Sequence, residues 1–108
     1  MTFTTDTQAD ILAITLSTLG VYDGGEILDD ADVVLEFDTN NTVMRIEILH
    51  YQQKMPALMT FITALVGMEA NNAKNFTRED IVRFLNFSQL VPVTQWFTPQ
   101  KTTAAISS

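Results

Sequence analysis

Residues 33–51 read VVLEFDTNNTVMRIEILHY, which is two apolar runs separated by a short polar segment. Both runs, 33–37 and 43–51, are rich in the β-branched and aromatic residues that favour strands. The segment between them, 38–42, is typical of a hairpin loop, because Asn tolerates left-handed backbone and Asp can accept hydrogen bonds from nearby amides. Strand alternation predicts Met44, Ile46 and Ile48 on one face of the return strand and Val43, Arg45, Glu47 and Leu49 on the other.

The residues before this hairpin are less decisive. Asp10 to Ser17, DILAITLS, fits either an amphipathic helix or a strand, since its apolar residues satisfy both periods. Asp23-Gly24-Gly25-Glu26 predicts a tight turn, because glycine supplies positive φ without steric cost.

The second half of the chain changes period. Pro56 is suited to the first turn of a helix, and the residues that follow it as far as Met68 are apolar nearly all round. Residues 69–75 predict a polar linker, and residues 77–80, TRED, resemble a capping box that starts a second short helix. The expected fold is α+β: an N-terminal antiparallel β-meander of three to five strands, followed by two C-terminal helices packed on one face. We expect a single domain, 1–108, with a meander (3–53), a helical part (54–90) and an extended tail (91–108).

Charge is distributed unevenly along the 108 residues, whose net charge is −7. Residues 1–53 carry ten acidic residues and one basic residue, whereas residues 54–108 carry three and five. An acidic half of this kind repels phosphate, so we expect no nucleic-acid binding; an acidic decoy of DNA is a third, weaker interpretation. The absence of cysteine fits a reducing cytoplasm, and neither a signal peptide nor a membrane-spanning segment is expected.

Three segments in order resemble the small bacterial family of unknown function called DUF2283. They are Ala9–Leu16 (ADILAITL), Val33–Asp38 (VVLEFD) and Val43–Leu49 (VMRIEIL), and the resemblance covers about residues 3–53. The chain departs from the family pattern at Ala13, where an aromatic is common, and near Asn41 and Arg45, where glycines are common. The resemblance implies a β-meander, with Asp10–Ser17 as a strand. It brings no established activity, and it implies an antitoxin-like or partner-binding role.

Two groups of polar residues are candidates for chemistry. His50, the single histidine, follows Glu47 by three residues and suits a general base, although a half-exposed residue at a strand end is the commoner explanation. An acidic loop suits a divalent cation or solvated turn charge, and its residues are Asp23, Glu26, Asp29, Asp30 and Asp32. No catalytic residue, cofactor or metal ligand is assigned, and the protein is expected not to be an enzyme.

The apolar helix is the remaining candidate surface, because a helix that is apolar on all sides exceeds what one sheet face can bury. We expect a homo-oligomer, such as a dimer, or a protein partner at this surface, through Leu58, Phe61, Ile62, Leu65, Val66 and Trp96. The sequence thus predicts a small acidic interaction module. The alternative is a protein that binds a small ligand or a divalent cation through loop 23–32 and His50.

Overall fold

The computed structural model of the protein describes residues 1–28, 32–71 and 75–91. These residues form five strands followed by two α-helices, which confirms the predicted α+β fold. The elements are β1 (Thr2–Asp6), β2 (Ile11–Thr15), β3 (Tyr22–Leu28), β4 (Val33–Asp38), β5 (Val43–Leu49), α1 (Ala57–Ala70) and α2 (Arg78–Ser88). The predicted tail lies outside the described residues, apart from Val91.

All five strands form one antiparallel sheet in the order β1-β2-β5-β4-β3. β3, β4 and β5 make the meander, and the β1–β2 hairpin joins it because β2 pairs with β5. The ambiguous segment Asp10–Ser17 therefore contains a strand, as the family resemblance implied. β1 and β3 are left as the two edges of the sheet.

Both helices contribute to a single core with one face of this sheet. Among the described residues, sixteen are buried in this core, and they come from β2, from the meander, from both helices and from the segments beside α2. Val43 belongs to that core although alternation placed it on the opposite face, and this prediction is wrong. A register shift between Glu36 and Phe37 pairs Phe37 with Val43 and leaves Met44 as the extra residue, so Val43 joins Ile46 on the buried side.

The β4–β5 loop has the predicted chemistry. Asp38 Oδ1 accepts hydrogen bonds from the backbone amides of Asn40 (2.8 Å) and Thr42 (2.9 Å). Asn41 has a φ of 62°, in the left-handed region. The loop is held by local side-chain bonds that its sequence indicates.

The paired glycines do not form the predicted turn, because both Gly24 and Gly25 lie within strand β3. The register against β4 shifts between Tyr22 and Gly25, and Gly24 has a φ of +121°. A Cβ on Gly25 would lie 3.0 Å from the carbonyl oxygen of Leu35. The glycines therefore serve a bulge in an edge strand, which needs the same backbone freedom as a turn.

Both helices begin where the sequence predicts. Pro56 immediately precedes α1, and Thr77 caps α2 in a capping box with Asp80. α1 continues past Gly67 to Ala70, so the linker begins later than predicted. Among the described residues, no helix is both long enough and apolar enough to cross a membrane.

Candidate functional site

The structure divides the predicted interface residues into two groups. Leu58, Phe61 and Leu65 are enclosed in the core of the single chain and have no surface to offer a partner. The predicted interface is corrected accordingly, because the sheet and α2 bury this side of α1. Ile62 is half-buried and Val66 is 45% exposed. Trp96 lies outside the described residues.

One end of α1 lies near the start of the first strand. The backbone nitrogen of Met1 is 3.2 Å from Oε2 of Glu69, which places the Glu69 side of α1, at the C-terminal end of the helix, next to the residue that precedes β1. Ile62 and Val66 precede Glu69 by seven and three residues, so they share this side of the helix. Met59, which is 49% exposed, lies one turn before them. We call Met59, Ile62 and Val66 the α1 flank.

The hydrogen bonds of β2 show which way the strands direct their backbone groups. The amide of His50 donates to the carbonyl of Asp10 (2.8 Å), and the amide of Leu16 donates to the carbonyl of Met44 (2.7 Å). Asp10 and Leu16 are the residues next to the two ends of β2, and both are even-numbered. Each is bonded to β5 or to the residue that follows β5. Backbone groups alternate in direction along an antiparallel strand, so the odd-numbered residues of Ile11–Thr15 point towards β1.

The outer edge of β1 follows from this alternation. The β1 partners of those odd-numbered residues are Thr2, Thr4 and Asp6. Their backbone groups therefore point inward, to β2, and those of Phe3 and Thr5 point away from the sheet. No described residue pairs with the outer side of β1, and all five residues of the strand are exposed.

Phe3 lies on this open edge, on the same face of the sheet as the helices. It pairs with Ile14, a fully buried core residue, so its side chain lies on the helix-bearing face of the sheet. It is nevertheless 44% exposed. Phe3, Thr5 and the α1 flank together form what we call the β1–α1 surface. The sequence prediction missed β1, although its Thr-Phe-Thr-Thr run is rich in residues that favour strands.

The opposite edge of the sheet is built differently. β3 is bulged at its glycines and carries two acids, Asp23 and Glu26. Arg78 of α2 binds Glu26 in a two-pronged pair, Nε to Oε1 at 2.6 Å and NH2 to Oε2 at 2.7 Å. Bulges and charges are the usual means by which proteins block an edge strand. β1 has no bulge, no proline and a single charge, at its end.

The acidic loop does not assemble as a cation site in the part of the chain that is described. Glu26 is engaged by Arg78, and the hydrogen bond to Glu26 raises the pKa of Arg78 against the opposing effect of burial. Asp32 Oδ2 lies 3.0 Å from the ammonium of Lys54. Asp29 and Asp30 fall outside the described residues. Within residues 1–28, 32–71 and 75–91, no three His, Asp or Glu side chains are grouped to hold a metal ion.

His50 lies among carboxylates other than the one predicted. Its Nδ1 is 3.9 Å from Asp10 Oδ2 and its Nε2 is 3.9 Å from Asp32 Oδ1, both too long for hydrogen bonds. Asp10 and His50 have φ values of 61° and 57°, in the left-handed region. This geometry places two acids beside an exposed imidazole. Asp10 accepts a hydrogen bond from the backbone amide of Gln52, and Asp32 accepts one from the ammonium of Lys54. Sequence reasoning missed Asp10, because only the sheet pairing brings it to His50.

Glu47 is occupied elsewhere, on the face of the sheet opposite the helices. Arg45 bonds both Glu47 and Glu36, the latter at 3.1 Å. Burial acts to lower the pKa of Arg45, but the bonds and charges of Glu47 and Glu36 outweigh it, so the net change is upward. The three residues form a cross-strand cluster in which one arginine partly offsets two glutamates, and Glu47 is not paired with His50.

Comparison with known proteins gives one result. No match was found among the curated proteins or among the solved structures. The family model described as protein of unknown function DUF2283 does match, over residues 3–51. This range begins at the second residue of β1, includes β2 to β5 and ends before α1. The resemblance to DUF2283 is therefore confirmed over residues 3–51, which hold most of the sheet.

Proposed function

We propose that the protein is a non-enzymatic interaction module of the cytoplasm that binds another protein chain, or its own, through the β1–α1 surface. The observation that carries the proposal is an edge strand without a described partner on its outer side, in a molecule that also exposes an apolar flank of α1, the helix whose Glu69 bonds to Met1. An edge strand offers backbone hydrogen bonds to an added strand, and neighbouring apolar side chains supply burial. An antitoxin-like role would use the same surface.

The charge of this surface supports a protein partner. The chain carries a net −7, yet Thr2 to Thr5 and the α1 flank contain no charged side chain; the charges that border them are Asp6 and the ion pair between the Met1 ammonium and Glu69. Depletion of charge around aromatic and aliphatic residues is characteristic of the centre of protein interfaces. Nucleic acid and anionic membranes are disfavoured by the same net charge.

Site-specific photo-crosslinking in cells of the native host tests the proposal. A photoreactive amino acid at Val66 should give a discrete crosslinked product. The matched control is Ile27, which is 65% exposed on the opposite edge strand and should give none. The mass of the product distinguishes a second copy from another protein. Equal labelling at both positions, or no product at Val66, would refute the proposed surface.

A second candidate function is binding of a small ligand or a divalent cation beside His50. It is favoured by the approach of Asp10 and Asp32 to that imidazole, at 3.9 Å each. Specific binding to the folded protein raises its melting temperature by mass action. A thermal-shift screen with Ca²⁺, Mg²⁺, Mn²⁺ and Zn²⁺ tests the cation version. A His50→Ala variant that keeps any shift would show that the ion binds elsewhere.

A further inference from the structure

We infer that the partner at the β1–α1 surface is a second copy of this chain, with the two β1 strands paired antiparallel and Thr4 facing Thr4 across a two-fold axis. The inference rests on the proposed function and specifies its partner. It joins two five-stranded sheets into one continuous sheet of about ten strands, with the helices of both copies on the same face.

The direction of the backbone groups selects this register. Only Phe3 and Thr5 direct their amide and carbonyl groups outward, so these must be the hydrogen-bonded residues of a new pair. When Phe3 of one copy faces Thr5 of the other, all four outward amides and all four outward carbonyls of the two strands are satisfied. Thr4 then becomes the central, non-hydrogen-bonded pair. This register also overlaps Thr2–Asp6 along its whole length.

The side chains are compatible with a copy of themselves in that register. Asp6 faces Thr2, and the two Asp6 carboxylates lie about 14 Å apart along the strands, beyond the reach of strong repulsion. Phe3 and Thr5 alternate across the axis on the helix-bearing face, where each half-exposed Phe3 ring gains a neighbour. A two-fold interface requires such a self-complementary patch.

The absence of cysteine allows a direct test by disulfide formation. Residues facing each other in a non-hydrogen-bonded pair have Cα atoms about 4.5 Å apart, within disulfide range. Thr4→Cys should therefore form a disulfide-linked dimer under mild oxidation. Thr2→Cys is the matched control, being exposed on the same strand and the same face, but its two copies would lie about 14 Å apart. Absence of the Thr4→Cys dimer, or equal crosslinking of both variants, would overturn the register.

A second variant tests the pairing without cysteine chemistry. Thr5→Pro removes an outward amide and should leave the hydrogen bonds inside the chain intact. It should weaken dimerisation at least about ten-fold, since one amide bond is lost from each copy. Light scattering behind size exclusion measures the loss, with far-UV circular dichroism confirming the fold. Unchanged dimerisation would contradict the inference.

Hydrogen exchange separates this inference from its competitors. The amides of Phe3 and Thr5 should be protected only at concentrations where the dimer forms. The same protection in a monomer would show that another part of the chain covers the edge, and would overturn the inference. A Val66 photo-crosslink to a different protein, together with an absent Thr4→Cys dimer, would overturn the second copy while supporting the proposed interaction function.

Discussion

Substitution of Phe61 by Ala should destabilise the protein severely, whereas the same substitution at Val66 should not. Phe61 is fully enclosed in the core. Val66 follows it by five residues in the same helix and is 45% exposed. A buried aromatic side chain withdraws about 150–250 Å² from water. At about 25 cal/mol/Å² this burial contributes roughly 4–6 kcal/mol. The alanine side chain keeps part of this burial, so Phe61→Ala should lower the free energy of unfolding by about 3–5 kcal/mol. The whole free energy of unfolding of such a domain is about 5–15 kcal/mol.

Urea unfolding followed by far-UV circular dichroism measures this difference. With a denaturant dependence of about 2 kcal/mol per molar, Phe61→Ala should lower the midpoint by roughly 2 M. Val66→Ala should change stability by about 0.5 kcal/mol or less and should weaken association instead. If Phe61→Ala kept its stability and lost association, or if Val66→Ala were equally destabilising, the assignment of the two sides of α1 would be refuted.

Other substitutions test single contacts. Gly67→Ala should stabilise the protein by about 1 kcal/mol, as measured by thermal unfolding, because Gly67 lies in α1 with open space around an added Cβ; a loss would show a contact there. Gly20→Ala should destabilise it by about 1–3 kcal/mol, because the new Cβ would lie 2.5 Å from Oδ2 of Asp38; wild-type stability would mean that the loop relaxes freely. Asp38→Ala should cost about 2–3 kcal/mol and expose two loop amides to hydrogen exchange, and unaltered exchange would argue against those bonds. Arg78→Lys should cost about 0.5–1 kcal/mol, less at high salt, because Lys cannot bond both oxygens of Glu26; a double-mutant cycle with Glu26→Gln should show coupling, and zero coupling would contradict the pair.

The features that sequence predicted well are those determined within a few residues. The β4–β5 loop needs only Asp38 and its neighbouring amides, with Asn41 at the left-handed position. The start of α2 needs only Thr77 and Asp80, which cap each other's backbone amides. Such signals survive in the sequence because no distant partner is required to satisfy them.

The features that sequence did not predict depend on pairing between distant segments. Gly24 supplies a positive φ in a turn and in a bulge alike, and only the register against β4 distinguishes the two. The buried side of α1 could not be identified, because apolar residues surround that helix and its periodicity is weak. The open edge at β1 exists because β2 pairs with β5, which leaves the first strand unpaired on its outer side among the described residues.

The uneven charge of the two halves also has a structural explanation. Two bases of the helical half bind two acids of the acidic half, Arg78 with Glu26 and Lys54 with Asp32. Part of the asymmetry is therefore neutralised inside the molecule, between the sheet and the segments that cover it. These pairs lie on the β3 side and at the β5 end of the sheet, whereas Thr2 to Thr5 and the α1 flank carry no charge. A partner bound there would meet backbone hydrogen-bonding groups and apolar side chains, which is why we propose that the protein acts through its first strand.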